Sequence, residues 1–177
     1  GDFGWTPDWD NFDRRPTWYH NMLSVVQSGQ CVTSNQIDFD EEVAFNSVRK
    51  INELARSDDE RPFFLLASFT HPHDPFAITQ EYWDRYDHDE IDMPKIPQID
   101  YEKLDPHCKR LYHVSAMGEY EQTKERILNA RHAYYSEISY ADDKVGCLVS
   151  ALEKNGLKDD TIIVITSDHG EMLGERG

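Results

Sequence analysis

The feature that most constrains the fold is a short β-branched run that ends in small and polar residues. Residues 162–165 read Ile-Ile-Val-Ile, and Ser167, Asp168, His169 and Gly170 follow after one threonine. Four consecutive aliphatic residues are typical of a strand buried on both faces of a parallel sheet. Ligands of such sheets bind outside the carboxyl ends of the strands, so this polar cluster is a candidate site.

A second apolar run also ends in a cluster of polar residues. Residues 62–69 read PFFLLASF and end at the polar THPHDP of residues 70–75. Residues 76–118 show no sustained periodicity, whereas residues 119–155 are apolar at helical spacing. The order strand, excursion, helix, strand predicts an α/β fold, with part of a mostly parallel sheet flanked by helices. Both polar clusters should then lie at the same edge of that sheet.

Helix boundaries can also be predicted from local signals. Asp40 precedes two glutamates and an apolar pattern, so we predict that it caps a helix reaching about Arg56. Gly156 follows the second helical pattern directly and should end it. Gly146 could divide that pattern into two helices.

The acidic composition excludes several classes of protein. The chain has 34 Asp and Glu against 18 Lys and Arg among 177 residues, a formal net charge of −16. Such a surface repels phosphate backbones, so we expect no nucleic-acid partner. Every apolar run is shorter than the about 18 residues that a membrane span needs, so we expect no membrane partner. Three widely spaced cysteines without a CxxC pair favour a reducing compartment and predict a cytoplasmic protein.

The two polar clusters contain residues suited to metal and oxyanion chemistry. Asp168 is a hard oxygen ligand for Ca²⁺ or Mg²⁺, and His169 suits a transition metal or the oxygen of a bound anion. Alternatively, Asp168 caps the following turn and His169 is a packed loop residue. In an extended chain His71 and His73 point in opposite directions, so only one of them should face the crevice.

Together these segments resemble the formylglycine-dependent sulfatases of the alkaline-phosphatase-like superfamily. The resemblance rests on FFLLASFTHPHDPF at residues 63–76 and on DTIIVITSDHG at residues 160–170, followed by EMLGE. DFGWTPDW at residues 2–9 and IDFD at residues 37–40 look more narrowly like bacterial choline sulfatases. The resemblance implies an alkaline-phosphatase-like sulfatase fold, of which residues 1–177 form an internal portion of a single catalytic domain.

The resemblance implies roles for five residues. Asp168 matches the family's metal-binding aspartate, and His169 takes the adjacent position beside the divalent cation and the sulfate ester. His73 matches the family's His-x-Pro histidine, so His73 and His169 are the expected catalytic residues. Trp5 and His71 are the expected substrate-binding residues, with Trp5 in the wall around a quaternary ammonium. Ordinary loop packing is the alternative interpretation of Trp5.

Two further chemical groups are implied by the resemblance. One is a divalent cation, with Ca²⁺ preferred and Mg²⁺ or Mn²⁺ as alternatives. The other is a formylglycine nucleophile, which the family makes from the cysteine of a C-x-P-S-R or C-x-A-x-R motif. Cys31, Cys108 and Cys147 all lie outside such a motif. We therefore expect the nucleophile in a preceding segment and no turnover by residues 1–177 alone.

The implied activity is the hydrolysis of a small-molecule sulfate ester by an enzyme that is a homo-oligomer when full length. Choline O-sulfate is the first candidate substrate. A phosphonate or phosphodiester hydrolase of the same superfamily is one alternative. A non-catalytic relative that keeps the fold is the other.

Overall fold

The computed structural model describes residues 22–177. Within them the chain forms mainly α-helix, together with one small parallel sheet. The helices are α1 (Leu23–Val26), α2 (Asn35–Ala55), α3 (Gln80–Trp83), α4 (Pro106–Val114) and α5 (Lys124–Lys154), and the strands are β1 (Gly29–Cys31) and β2 (Ala77–Thr79). Single 3₁₀ turns lie at His88–Glu90, Tyr101–Lys103 and Met117–Glu119.

The two strands pair in parallel, with Gly29 opposite Ala77 and Cys31 opposite Thr79. A parallel pair needs a long crossover, which α2 and the segment after it supply. The predicted α/β character is therefore present. The predicted mostly parallel sheet, however, consists of only two strands within the described part of the chain.

The two apolar runs that predict buried strands form no ladder within residues 22–177. In residues 62–69, Leu65 packs against the core between α2 and α5, whereas the neighbouring Phe64 is 92% exposed. In residues 161–166, Ile162 is 93% exposed. The prediction that both runs are buried on two faces is wrong for this structure, because the described helices cover them on one side at most.

Helix α2 begins earlier than its acidic pattern predicts. The cap is Ser34, whose hydroxyl accepts a hydrogen bond from the Ile37 amide at 3.1 Å. Asp40 therefore lies inside the helix, where its side chain is fully buried. The cap prediction is wrong because Asp40 bonds to a distant loop instead of to its own helix terminus.

Helix α5 is one continuous helix, so Gly146 does not divide it. Thr123 caps its start, and Gly156 ends it with a φ of 68°. The Leu157 amide donates to the carbonyl oxygen of Leu152, and the Gly156 amide donates to that of Glu153. This pair of hydrogen bonds is the Schellman motif. This helix end confirms the prediction made from glycine alone.

The long segment without periodicity contains β2, α3 and α4. Asp105 caps α4, with Pro106 in its first turn. Tyr82 packs edge-on against Tyr140 of α5 with ring centroids 5.2 Å apart. This aromatic contact holds the segment against α5.

No helix within residues 22–177 has both the length and the apolar character for crossing a membrane.

Candidate active site

Helix α2 holds the start of the loop that carries the first polar cluster. Asp40 Oδ1 accepts hydrogen bonds from the Thr70 amide at 2.7 Å and hydroxyl at 3.0 Å. Its Oδ2 accepts from the His71 amide at 3.0 Å and from His71 Nδ1 at 2.6 Å. Burial raises the pKa of Asp40, but these hydrogen bonds outweigh it and leave the pKa below its usual value. Asp40 is therefore an anionic anchor for the loop.

The two histidines of this loop point to different environments. The side chain of His71 is fully buried and its ring lies 4.8 Å from that of Tyr140. The side chain of His73 is 45% exposed, and its Nδ1 lies 3.0 Å from Asp74 Oδ1 and 2.8 Å from the Asp74 carbonyl oxygen. His71 is therefore buried between helices, whereas His73 is partly open to solvent; that only one of them faces a substrate crevice stays a prediction. The substrate-binding role of His71 stays a prediction.

The structure brings the two polar clusters together. The rings of His73 and His169 lie 6.1 Å apart between centroids, in an edge-on arrangement with a 68° angle between their planes. This proximity is what a shared edge predicts, although the strands themselves are unpaired here. The catalytic roles of both histidines stay predictions.

The second cluster is a tight polar turn at the surface. The His169 amide donates to Asp168 Oδ1 at 3.1 Å, and its Nδ1 donates to the Gly170 carbonyl oxygen at 3.1 Å. That bond to Gly170, with the charge of Asp168, raises the pKa of His169. The Asp168 side chain is 90% exposed. His169 therefore keeps its proton to a higher pH than an isolated histidine does.

Further carboxylates surround the paired histidines. Burial raises the pKa of Glu171 and nearby Asp74 raises it further, whereas His73 and His169 lower it. The pKa of Glu171 therefore depends on the charges of Asp74, His73 and His169 as well as on its burial. Asp74 also accepts a short hydrogen bond from the Ser24 hydroxyl, which ties the loop to α1.

Glu137 of α5 lies beneath the loop and is fully buried. Its Oε1 accepts from the Ala77 amide at 2.8 Å, whereas its Oε2 has no hydrogen-bond partner among the described residues. Burial, with the charges of Asp74 and Asp40, raises the pKa of Glu137 to about 9. Sequence reasoning missed Asp40 and Glu137 as site-forming groups, although each is an acid set within an apolar helical pattern.

Asp168 and His169, the two residues expected to bind a divalent cation, lie side by side, but the described residues form no complete set of ligands. Asp168 Oδ2 and His169 Nε2 lie 3.8 Å apart. Within residues 22–177 no three His, Cys, Asp or Glu side chains converge on one point. Carboxylate and imidazole suit one side of a metal site, and the described residues alone do not close it.

A cavity of about 490 Å³ adjoins the cluster. Asp74 and Glu171 line it together with apolar side chains that include Phe76, Met93 and Met172. An apolar hollow with a few convergent polar groups is the usual form of a small-molecule site. Trp5, the other predicted substrate-binding residue, lies outside the described residues.

Comparison with known proteins gives one consistent family. The model of the Sulfatase family matches residues 4–177. A choline-sulfatase of Rhizobium meliloti (strain 1021) is 42% identical over 99% of the chain, and the match covers 35% of that protein. An arylsulfatase of Clostridium perfringens is 31% identical over 71% of the chain and 25% of its own length. Human iduronate 2-sulfatase is 33% identical over 66% of the chain and 23% of its own length. The chain thus spans about a third, or less, of the length of these relatives.

Proposed function

This chain belongs to the sulfatase family, and on that premise we propose that its protein hydrolyses a sulfate ester. One observation carries the proposal. Two segments far apart in sequence deliver His73 and His169 to within 6.1 Å, at the point where both polar clusters meet. Two imidazoles at this separation can contact different oxygens of one tetrahedral anion.

The two histidines take different tasks in this proposal. The Nδ1 of His169 is held by the Gly170 carbonyl oxygen, so its Nε2 is the nitrogen proposed to lie beside the cation and the sulfate group. His73 is oriented at Nδ1 by Asp74, so its Nε2 is the nitrogen proposed to meet the bridging oxygen. An alkoxide leaves poorly, so a proton delivered by His73 to that oxygen lowers the barrier to cleavage of the S–O bond.

The charge around the histidines supports a cation in the complete site. Asp74, Asp168 and Glu171 would repel an anionic ester unless positive charge compensated them. We propose that Asp168 and His169 are two ligands of a divalent cation, Ca²⁺ before Mg²⁺ or Mn²⁺. When bound, such an ion neutralises charge that develops on the sulfate oxygens. The complete protein would also supply a formylglycine nucleophile.

Choline O-sulfate is the substrate that we propose first. The 42% identity to a choline-sulfatase supports it. The carboxylates of Asp74 and Glu171 beside an apolar cavity also suit a substrate that carries its own quaternary ammonium. Trp5 is proposed to cover that ammonium with its indole face.

The test measures how fast the complete protein hydrolyses each candidate ester. We expect turnover of choline O-sulfate with a higher kcat/KM than that of an alkyl sulfate without an ammonium group, and slow or no turnover of a phosphate diester of choline. Faster hydrolysis of the phosphate diester than of the sulfate ester would favour the phosphonate or phosphodiester alternative. No turnover of any ester with Ca²⁺, Mg²⁺ or Mn²⁺ present would favour the non-catalytic alternative.

A variant separates the proposed substrate from the general activity. Trp5→Ala should raise KM for choline O-sulfate far more than KM for an aryl sulfate without a cationic group. Equal increases for both substrates would remove Trp5 from the ammonium site while leaving sulfate-ester hydrolysis intact.

A further inference from the structure

The loop of His73 rests on one face of α2, at two points one helical turn apart. Asp40 receives four hydrogen bonds from Thr70 and His71. Gln36 Nε2 donates to the carbonyl oxygens of His73 and Asp74, each at 3.0 Å. Residues four apart lie side by side on a helix, so Gln36 and Asp40 form one continuous polar support.

The bond between Asp40 and His71 is the deepest part of this support. Both side chains are fully buried, and Nδ1 lies 2.6 Å from Oδ2. A buried carboxylate is costly unless its oxygens are satisfied, and here the loop satisfies both. The ring also packs against that of Tyr140 on α5, so the imidazole lies between α2 and α5.

His71 Nε2 is buried and has no hydrogen-bond partner among the described residues. The ring is thus bound on its Nδ1 side, toward α2. His73 follows after one proline, and its amide donates to the Thr70 carbonyl oxygen at 3.0 Å. The backbone that carries His73 is therefore fixed on both sides by groups bonded to α2.

We propose that Asp40, acting through the buried His71 and assisted by Gln36, is a positioning residue that sets the orientation of His73 toward the ester. The inference rests on the proposed sulfate-ester hydrolysis. It assigns His71 to positioning through Nδ1 and not to substrate contact through Nε2. It also gives α2 a role in the reaction through Asp40, a side chain that is fully buried beneath the loop.

The first experiment measures Asp40→Asn in the complete enzyme with an alkyl and an aryl sulfate. A misplaced proton donor penalises the poorer leaving group, so kcat for the alkyl ester should fall by up to about 100-fold and kcat for the aryl ester much less. His73→Ala should give the same pattern. Ser47→Ala, a buried change on α2 away from the loop, should leave the ratio unchanged. Equal losses for both esters in Asp40→Asn would overturn the proposal.

A matched pair of variants tests the nitrogen of His71. Asparagine places its amide nitrogen near the position of Nδ1, and glutamine places it near that of Nε2. His71→Asn should therefore keep at least about tenfold more alkyl-ester activity than His71→Gln. If His71→Gln is the more active variant, His71 acts through Nε2 and the proposal is wrong.

A spectroscopic readout separates this inference from the proposed function. In the wild type, the Nδ1–H proton of His71 should give a slowly exchanging NMR signal because it is buried against Asp40. Asp40→Asn should remove that protection and shift the ring signals of His73, whereas Ser47→Ala should do neither. Unchanged His73 signals in Asp40→Asn would overturn the positioning role. An inactive wild type would instead refute only the proposed hydrolysis.

Discussion

The imidazoles of His73 and His169 meet edge-on, 6.1 Å apart between ring centroids. Each is oriented by its own neighbours, His73 by the carboxylate and carbonyl oxygen of Asp74 and His169 by the carbonyl oxygen of Gly170. Two rings held independently can present two nitrogens to one ligand without rearrangement. Preorganisation of this kind is the main requirement of electrostatic catalysis.

Asp168→Ala in the complete enzyme should abolish metal-dependent turnover without lowering stability. The side chain is 90% exposed and, within residues 22–177, its polar contacts are with the neighbouring His169, so the free energy of unfolding should change by less than about 0.5 kcal/mol. Turnover with and without added Ca²⁺, together with urea unfolding, measures both effects. Asp159→Ala, an exposed carboxylate outside the cluster, is the control. Wild-type turnover by Asp168→Ala would place the metal ligand elsewhere.

Glu137→Gln should stabilise the protein at alkaline pH. The pKa of Glu137 is about 9 in the folded state, against an ordinary value of 4.5, because the group is buried beside other carboxylates. A raised pKa means that its contribution to stability is complete below pH 4.5 and is lost as the pH rises toward 9. Glutamine stays neutral and can still accept from the Ala77 amide, so at pH 8 the variant should gain at least about 1 kcal/mol.

Urea unfolding at pH 5 and pH 8 measures this difference. The gain of Glu137→Gln should be larger at pH 8 than at pH 5. Glu125→Gln, an exposed glutamate on the same helix, should show no such pH-dependent gain. An identical gain for Glu137→Gln at both pH values would show that Glu137 is ionised in the folded protein.

Local signals predicted those parts of the fold that depend on neighbouring residues. Gly156 ends α5 because only a residue that tolerates a φ of 68° fits that position. Asp40 shows the opposite case. Its sequence context suits a helix cap, but its hydrogen bonds go to Thr70 and His71, thirty residues away. Tertiary partners decide the role of a buried carboxylate, and no local pattern identifies them.

The meeting of His73 and His169 could be predicted because it follows from the order of elements. The exposure of Ile162 and Phe64 could not, because an apolar run shows only that a segment can be buried. Whether it is buried depends on the layers on both of its sides. Glu137 escaped prediction for a similar reason, since its burial depends on the loop that folds over α5.

His132→Gln should remove part of the loss of stability in mild acid. His132 is almost fully buried, its Nε2 donates to the Trp83 carbonyl oxygen at 2.9 Å, and its Nδ1 accepts from His88 Nδ1 at 2.9 Å. Burial lowers the pKa of His132 below its ordinary 6.5, and nearby His88 lowers it further. The contribution of the neutral ring is therefore complete above pH 6.5 and is lost as the pH falls through its folded-state pKa.

The measurement is the free energy of unfolding between pH 7 and pH 5. Glutamine keeps a donor for Trp83 but does not titrate, so the curve of His132→Gln should be flatter than that of the wild type. His107→Asn, at an exposed position, should keep the wild-type slope. Parallel curves for His132→Gln and the wild type would show that His132 does not cause the acid sensitivity.

Two glycine-to-alanine changes, one inside α5 and one just after its end, should have opposite effects on stability. Gly146 lies inside the helix, and an added Cβ would meet no atom within 4 Å, so Gly146→Ala should stabilise by about 0.5–1 kcal/mol. Gly156 has equal space around it but a φ of 68°, where an L-residue costs roughly 1–2 kcal/mol. Gly156→Ala should therefore destabilise, and thermal unfolding of both variants measures the difference. Because neither change creates a clash, equal effects would mean that backbone conformation does not determine where α5 ends.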